Sequence, residues 1–265
     1  MAAHRRPDPA QGVFETLLVL DGRPVELDAH LARLRSSLAA LYPGLTSPPL
    51  DVPVDDPPHG GPTTGTSAEA LRLSVAPDAD GGLATTTEHR PATGHSATQN
   101  GGRSTIRPVV LRSLTLAGGL GAHKWVDRSL LEDARAKSPE HALPLVLDED
   151  GTVLEASRAN VFAVRDETLV TPSLDGRILP GVTRMRVLEL ARSIGIATCE
   201  EPLSRDELLA ADEVFLTGSV RGIEPAESLD EMPLPGSGKI ARRLAVDLRH
   251  AWSGDLHPAL SGGLA

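Results

Sequence analysis

The chain has 265 residues, 40% of them apolar, and carries 36 acidic against 26 basic side chains for a net charge of −10. That length and apolar content suffice for one large or two modest packed domains. With no basic block and only 2% aromatic residues on which bases could stack, the composition argues against nucleic acid as a partner. No continuous apolar run reaches bilayer length and none follows Arg5 and Arg6, so the expectation is a cytoplasmic protein with no membrane partner.

Val13 to Leu20 suits a strand, and Asp21-Gly22 is a hairpin signal leading into Arg23 to Glu26. Asp28 is placed to cap a helix from Ala29 to Tyr42, with Leu31, Leu34, Leu38 and Leu41 on one face and Pro43-Gly44 as its stop. His30 and Arg33 share a face beside that leucine stripe. Such spacing can aim the guanidinium inward, although an exposed arginine fits it equally well. Thr46 to Gly65 reads as a surface loop relieved only by a strand at Ala70 to Ala76. Pro77 to Ser104 has almost no large apolar side chain to offset the entropy of ordering, so much of it is expected to be disordered. His59, His89 and His95 show no paired metal-ligand spacing and read as solvated, and no metal site is expected.

Thr105 to Leu116 resumes a strand pattern that closes a first half. Gly118-Gly119-Leu120-Gly121 then looks like an interdomain link; it lacks the spacing and helix opening of a dinucleotide fingerprint. The expected organisation is a small domain over 12–117 with the insert near 77–104, a linker over 118–122, a larger domain over 123–252 and a loose tail over 253–265. Lys124 follows the glycines, where one element ends and another begins. Asp127 can cap a helix through Ala136. Leu143 to Leu147, Thr152 to Glu155, Asn160 to Val164 and Thr168 to Thr171 read as an antiparallel meander. Leu179-Pro180-Gly181-Val182-Thr183 opens a helix running to Ile194-Gly195. Ala197 to Glu200 is a short strand, Ser204 caps a helix over Arg205 to Ala211, and Asp212 to Thr217 is a strand ending in Gly218-Ser219. Gly222-Ile223-Glu224-Pro225 leads to a last helix, Ile240 to Ala251, with Leu244, Val246 and Leu248 as apolar candidates. The single Cys199 precludes an intramolecular disulfide or a CxxC site and reads as a small buried side chain. Strands alternating with helices indicate an α/β or α+β fold.

Six pieces of this sequence occur in a familiar order: Gly12-Val13-Phe14-Glu15-Thr16, His30-Leu31-Ala32-Arg33-Leu34, His123-Lys124, Glu155-Ala156-Ser157-Arg158-Ala159-Asn160-Val161-Phe162, Leu179-Pro180-Gly181-Val182-Thr183-Arg184 and Phe215-Leu216-Thr217-Gly218-Ser219. The chain resembles the class IV aminotransferases, the fold type IV pyridoxal-phosphate enzymes, over nearly its whole length. Two departures stand out: a stretch the family usually carries before the first motif, and the 77–104 insert, which has no family counterpart.

The resemblance implies two α/β domains, pyridoxal 5'-phosphate (PLP) as cofactor, a small-molecule substrate and a homodimer. It makes Lys124 the catalytic Schiff-base partner and proton carrier, a role suited to an amine kept partly neutral in a dry pocket. Glu155 would keep the pyridine nitrogen protonated; on position alone it is a charge flanking a turn. Arg33 would be the phosphate's cation, Gly181, Val182 and Thr183 its helix N-terminus and Ser219 a hydroxyl contact. Ser219 is otherwise a turn residue after a strand. Trp125-Val126-Asp127-Arg128 after the lysine, Phe14-Glu15-Thr16-Leu17, and Val220-Arg221-Gly222-Ile223 look less like branched-chain aminotransferases than like 4-amino-4-deoxychorismate lyases. An aminotransferase acting on branched-chain or D-amino acids, and a non-catalytic protein retaining the fold, are the alternatives.

Overall fold

The computed structural model describes residues 6–50, 52, 67–92, 108–139, 142–235 and 238–254. They form two compact units: one holds the described residues of Arg6–Ile106 and His123–Ser129, the other those of Arg107–Ala122 and Leu130–Ala265. The sequence puts Thr105 to Leu116 with the first half and residues 123–129 with the second; of these, the described residues 108–116 fall in the larger unit and residues 123–129 in the smaller.

In the smaller unit β1 (Val13–Leu20) turns through Asp21 and Gly22, both at positive φ, into β2 (Arg23–Pro24). With β3 (Ala68–Pro77) and β4 (Leu83–Pro91) they make an antiparallel sheet in the order β2-β1-β3-β4. Helix α1 (Leu27–Leu41) buries Leu31, Leu34 and Leu38 against Val13, Leu73 and Val75 of one sheet face. It begins two residues earlier than expected. Its N-cap is Glu26, in the left-handed region and without a side-chain cap hydrogen bond, and Asp28 sits inside the first turn, where its charge meets the helix dipole.

Strand β4 overturns part of the expected disorder. Asp78 Oδ1 accepts the N–H groups of Asp80 and Gly82 at 3.0 and 2.8 Å, Gly81 takes φ +80°, and the returning chain pairs with β3 residue for residue from Leu83 to Pro91. Its side chains are mostly exposed, so main-chain pairing holds it rather than the burial that a composition argument weighs. His89 lies on it, exposed, with Nδ1 3.3 Å from Glu69. His59, His95 and the rest of the insert fall outside the described residues, as does the tail from residue 255.

The larger unit contains β5 (Val109–Thr115), α2 (Ser129–Ala136), β6 (Leu143–Leu147), β7 (Thr152–Ala156), β8 (Asn160–Arg165), β9 (Thr168–Thr171), α3 (Val182–Ser193), β10 (Thr198–Glu200), β11 (Leu203–Ser204), α4 (Arg205–Leu209), β12 (Glu213–Gly218), β13 (Gly222–Leu229), β14 (Met232–Pro233) and α5 (Lys239–Ser253). Its sheet runs β10-β9-β8-β12-β13-β5-β6-β7-β11, with β14 on β13. The expected meander therefore breaks in the middle: β6 pairs with β7 and β8 with β9, but β8 turns to β12 instead of β7. Strand β13 was not anticipated. Pro225 lies within it opposite Phe215, and a register shift falls between Ala226 and Ser228, so neither donor pattern nor alternation marks the strand in sequence.

Residues such as Leu111, Leu145, Val161 and Leu216 fill the core on one side. On the other, α3 and α5 pack over Phe162 and Phe215, whose rings stack at 5.3 Å. Glu213 caps α5 by accepting the N–H groups of Ile240 and Ala241. On α5, Leu244 and Leu248 are buried as expected but Val246 is 38% exposed, because two residues along a helix is more than half a turn. Cys199 is half-buried, with Sγ donating to Glu201, rather than fully enclosed. Among the described residues no helix is long and apolar enough to cross a membrane.

Candidate active site

In the smaller unit, Lys124 is anchored through its backbone. Phe14 N donates to Lys124 O at 2.8 Å and Val126 N to Gly12 O at 3.0 Å, which lays residues 124–126 antiparallel beside the start of β1. On one side His123 meets Ser37 Oγ at 3.0 Å, and on the other Asp127 accepts Asp8 N–H and caps Ser129. The approach to this segment needs Gly119, at φ +64°, where a Cβ would overlap the carbonyl oxygen of Arg177. The chain has three lysines; Lys137 and Lys239 are exposed, whereas Lys124 is half-buried with Nζ 4.8 Å from the centre of the Phe14 ring. The same ring carries the guanidinium of Arg72, from β3, at 3.9 Å. Burial pushes the Arg72 pKa down, with the Arg90 charge adding to the effect.

Alternation along β1 sends Glu15 to the opposite face, under α1. It is 1% exposed and takes three charge-assisted or polar donors: His30 Nδ1 at 2.8 Å, Arg33 Nε at 2.8 Å and Arg33 Nη2 at 2.6 Å. Burial pushes the Glu15 carboxyl up, but the hydrogen bonds from His30 and Arg33, with the Arg33 charge, outweigh it and hold the pKa at about 2. His30 is shifted below its ordinary value, first by burial; Glu15 pulls it up, and the charges of Arg33 and Lys124 push it down again. The neutral imidazole therefore donates from Nδ1 to the carboxylate. Arg33 does turn inward from the helix face it shares with His30, and its fork is spread on Glu15.

Glu155, Gly181, Val182, Thr183 and Ser219 belong to the larger unit, at one end of its sheet. Glu155 is buried at the end of β7 and accepts the Leu179 N–H at 3.2 Å, so it is no surface charge. Asn160 donates to Leu179 O, and its Oδ1 lies where a Cβ on Gly181 would fall, so only glycine fits at the N-cap of α3. That N-terminus has no side-chain cap, and the first helical hydrogen bond runs from Met185 N to Gly181 O. The leading N–H groups of α3 thus lack helical acceptors. Thr183 Oγ1 lies 3.5 Å from Ser219 Oγ, and Thr217 Oγ1 is buried without a hydrogen-bond partner among the described residues. A helix start, two hydroxyls, an unsatisfied third and a buried carboxylate match the donors and acceptor that a phosphorylated pyridine needs, so the residues present fit PLP.

Sequence reasoning named Lys124, Arg33, Glu155 and the α3 start but missed four participants: Glu15 and His30 as the partners of Arg33, Arg72 on the ring that Lys124 also meets, and Thr217. An acidic residue at an inward position of an apolar strand was the available signal for Glu15. Nothing local marks Arg72, since β3 meets Phe14 only through sheet pairing.

The profile of the amino-transferase class IV family matches residues 12–54 and 120–229, more than half of the chain. The branched-chain-amino-acid aminotransferase of Escherichia coli strain K12 is 37% identical over 111 residues, 42% of this chain and 36% of its own length. The match thus spans about a third of the curated relative. Among solved structures, 4-amino-4-deoxychorismate lyase from Pseudomonas aeruginosa is 27% identical with a TM-score of 0.72, covering 94% of this chain and 95% of that one. A hypothetical aminotransferase from Mycobacterium tuberculosis, in PLP-bound form, is 22% identical with a TM-score of 0.73, covering 96% and 95%, and shares the fold.

Proposed function

This chain belongs to the amino-transferase class IV family, and on that premise we propose that it is a PLP-dependent lyase converting 4-amino-4-deoxychorismate to 4-aminobenzoate and pyruvate. The observation that carries the reading is Lys124, the one lysine of three that is not exposed, set with Arg72 on a single aromatic ring. An amine and a cation that share one aromatic ring suit a substrate that is both an amine and an acid. Likeness to the Pseudomonas aeruginosa lyase at 27% identity, over nearly the full length of both chains, supports the choice of reaction.

Bound to this chain, PLP would supply an electron sink for the carbon that bears the substrate's amine. Lys124 Nζ would remove the ring proton at that carbon and deliver a proton to the departing enolpyruvyl group. Glu155, already positioned by the Leu179 N–H, would hold a proton on the pyridine nitrogen. The N–H groups of Val182 and Thr183, following Gly181, would cradle the phosphate with the Thr183 and Ser219 hydroxyls. We assign its cation to Arg33, whose guanidinium Glu15 and the α1 face keep in one orientation. Aromatisation drives the reaction, so no amino acceptor is required.

A class IV aminotransferase is the second reading, favoured by the 37% identity to the Escherichia coli enzyme over its shorter span. The two separate on one assay of the purified full chain. Pyruvate released from 4-amino-4-deoxychorismate with no 2-oxo acid added selects the lyase. Nitrogen transfer from a branched-chain or D-amino acid to 2-oxoglutarate, without pyruvate release, selects the aminotransferase. The homodimer is likewise part of the proposal, and sedimentation equilibrium tests it.

A further inference from the structure

One aromatic ring in the smaller unit brings two cationic side chains together. The Arg72 guanidinium carbon lies 3.9 Å from the centre of the Phe14 ring and Lys124 Nζ 4.8 Å from it, so the two stand within about 9 Å of one another, close to the distance over which salt screens exposed charges. The backbone fixes both. Phe14 N donates to Lys124 O, and β3 pairs with β1 so that Ser74 stands opposite Phe14 and Arg72 opposite Thr16. Arg72 Nε donates to the Ser74 hydroxyl at 3.2 Å, a neutral acceptor, and the guanidinium pairs with no carboxylate among the described residues.

The other charges around Lys124 largely cancel. On the far face of β1, Glu15 is matched by Arg33 of α1; His30 and His123 are both shifted below their ordinary value, so the two imidazoles are neutral at neutral pH. On β4, Glu88 is held by two hydrogen bonds of 2.8 Å from Arg90. Along the lysine's own segment, Asp127 and Arg128 are opposite in sign. That leaves Arg72.

Two effects at this ring act in opposite directions on a proton held by Lys124. Repulsion between unit charges about 9 Å apart, at an effective dielectric of about 20, amounts to roughly one pH unit or slightly more in the titration of an amine. The attraction of the ring for a protonated amine is worth roughly half of that at a partly exposed site. Repulsion therefore prevails. Desolvation works in the same direction but is incomplete, since Lys124 is only half-buried.

We propose that the permanent charge of Arg72 keeps the Lys124 amine neutral, and so nucleophilic and able to take up a proton, at a pH where the other two lysines of the chain are charged. Arg72 acts through Lys124 and is a positioning residue. The inference deepens the PLP reading above and rests on it for its use in the reaction, because only a neutral amine bonds to the cofactor's aldehyde.

The test is trace labelling with acetic anhydride across a pH series, on the full chain freed of any bound PLP with hydroxylamine. Peptide mass analysis resolves the three lysines, and the exposed Lys137 and Lys239 serve as internal references. In wild type the labelling midpoint of Lys124 is expected about one pH unit or more below theirs. Arg72→Gln should raise it by about one pH unit while Lys137 and Lys239 stay in place, and Arg72→Lys should keep much of the depression. An unchanged thermal midpoint shows that each variant is folded. Wild type also reports without any variant: raising KCl from about 0.05 to about 0.5 M should move the Lys124 midpoint upward as the repulsion is screened. A Lys124 midpoint unmoved in folded Arg72→Gln, or unmoved by salt should that variant not fold, overturns the inference and leaves burial as the cause of any depression. PLP binding is scored separately, by the borohydride-sensitive absorbance of a PLP-treated portion, so a failure of the cofactor reading is distinguished from a failure of the charge effect.

Discussion

Replacing Glu15 by glutamine keeps the shape of the side chain and removes the charge on which His30 and Arg33 converge. In the native protein this carboxyl is held at about 2 from an ordinary 4.5, a displacement worth roughly 3 kcal/mol. At 1% exposure, solvent does little to screen it. The amide would also deprive the Arg33 guanidinium, 9% exposed, of the Glu15 charge. Breaking a buried pair from one side costs about 3–5 kcal/mol. The expected loss at pH 7 is thus about 3 kcal/mol, confined at first to the smaller unit. Trp125 reports on that unit once Trp252, the chain's other tryptophan, is changed to phenylalanine, and urea unfolding followed by its fluorescence measures the loss. The pH dependence has a definite sign. Glu15 titrates lower in the fold than in the unfolded chain, so its stabilisation is complete above 4.5 and disappears as pH falls towards 2. His30 is also depressed, so the fold opposes its protonation, and stability drops as pH falls below 6.5. Both contributions weaken the protein in acid, and Glu15→Gln should flatten the profile below 4.5. A loss under about 1 kcal/mol at pH 7, with an unchanged urea slope, would refute the coupling of these three residues.

Gly119→Ala places a Cβ against the Arg177 carbonyl at positive φ, and should cost roughly 1–3 kcal/mol in urea unfolding. Glu155→Gln can still accept the Leu179 N–H, so stability should change by less than about 1 kcal/mol. Its pyruvate release should nevertheless fall by about a hundredfold, because an amide cannot hold the pyridine nitrogen protonated. Thr217→Val removes a buried hydroxyl that lacks a partner. The cofactor-free chain should be at least as stable as wild type, while affinity for PLP, followed by absorbance titration, should drop severalfold if that hydroxyl serves the cofactor.

Elements whose signals are local were legible. The β1 and β6 bounds follow from their apolar residues, and α3 is marked by Pro180-Gly181 and a buried stripe. What failed were features determined elsewhere in the chain. Strand β4 has no core side chains of its own and is held by β3 and the Asp78 turn. Pro225 conceals β13, which lies between β12 and β5 in the sheet. At the site, the residue types wanted by the chemistry could be placed from motifs. Their partners could not, because Glu15 meets Arg33 only when α1 packs on β1, and Arg72 meets Phe14 only through the β1–β3 register.

Borohydride reduction of the PLP-treated full chain, followed by proteolysis and peptide mass analysis, tests the assignment of Lys124 most directly. With three lysines the outcomes are few. The account predicts loss of the long-wavelength absorbance and a phosphopyridoxyl mass on the peptide containing Lys124. A colourless protein, or label on Lys137 or Lys239 with Lys124 unmodified, would contradict it.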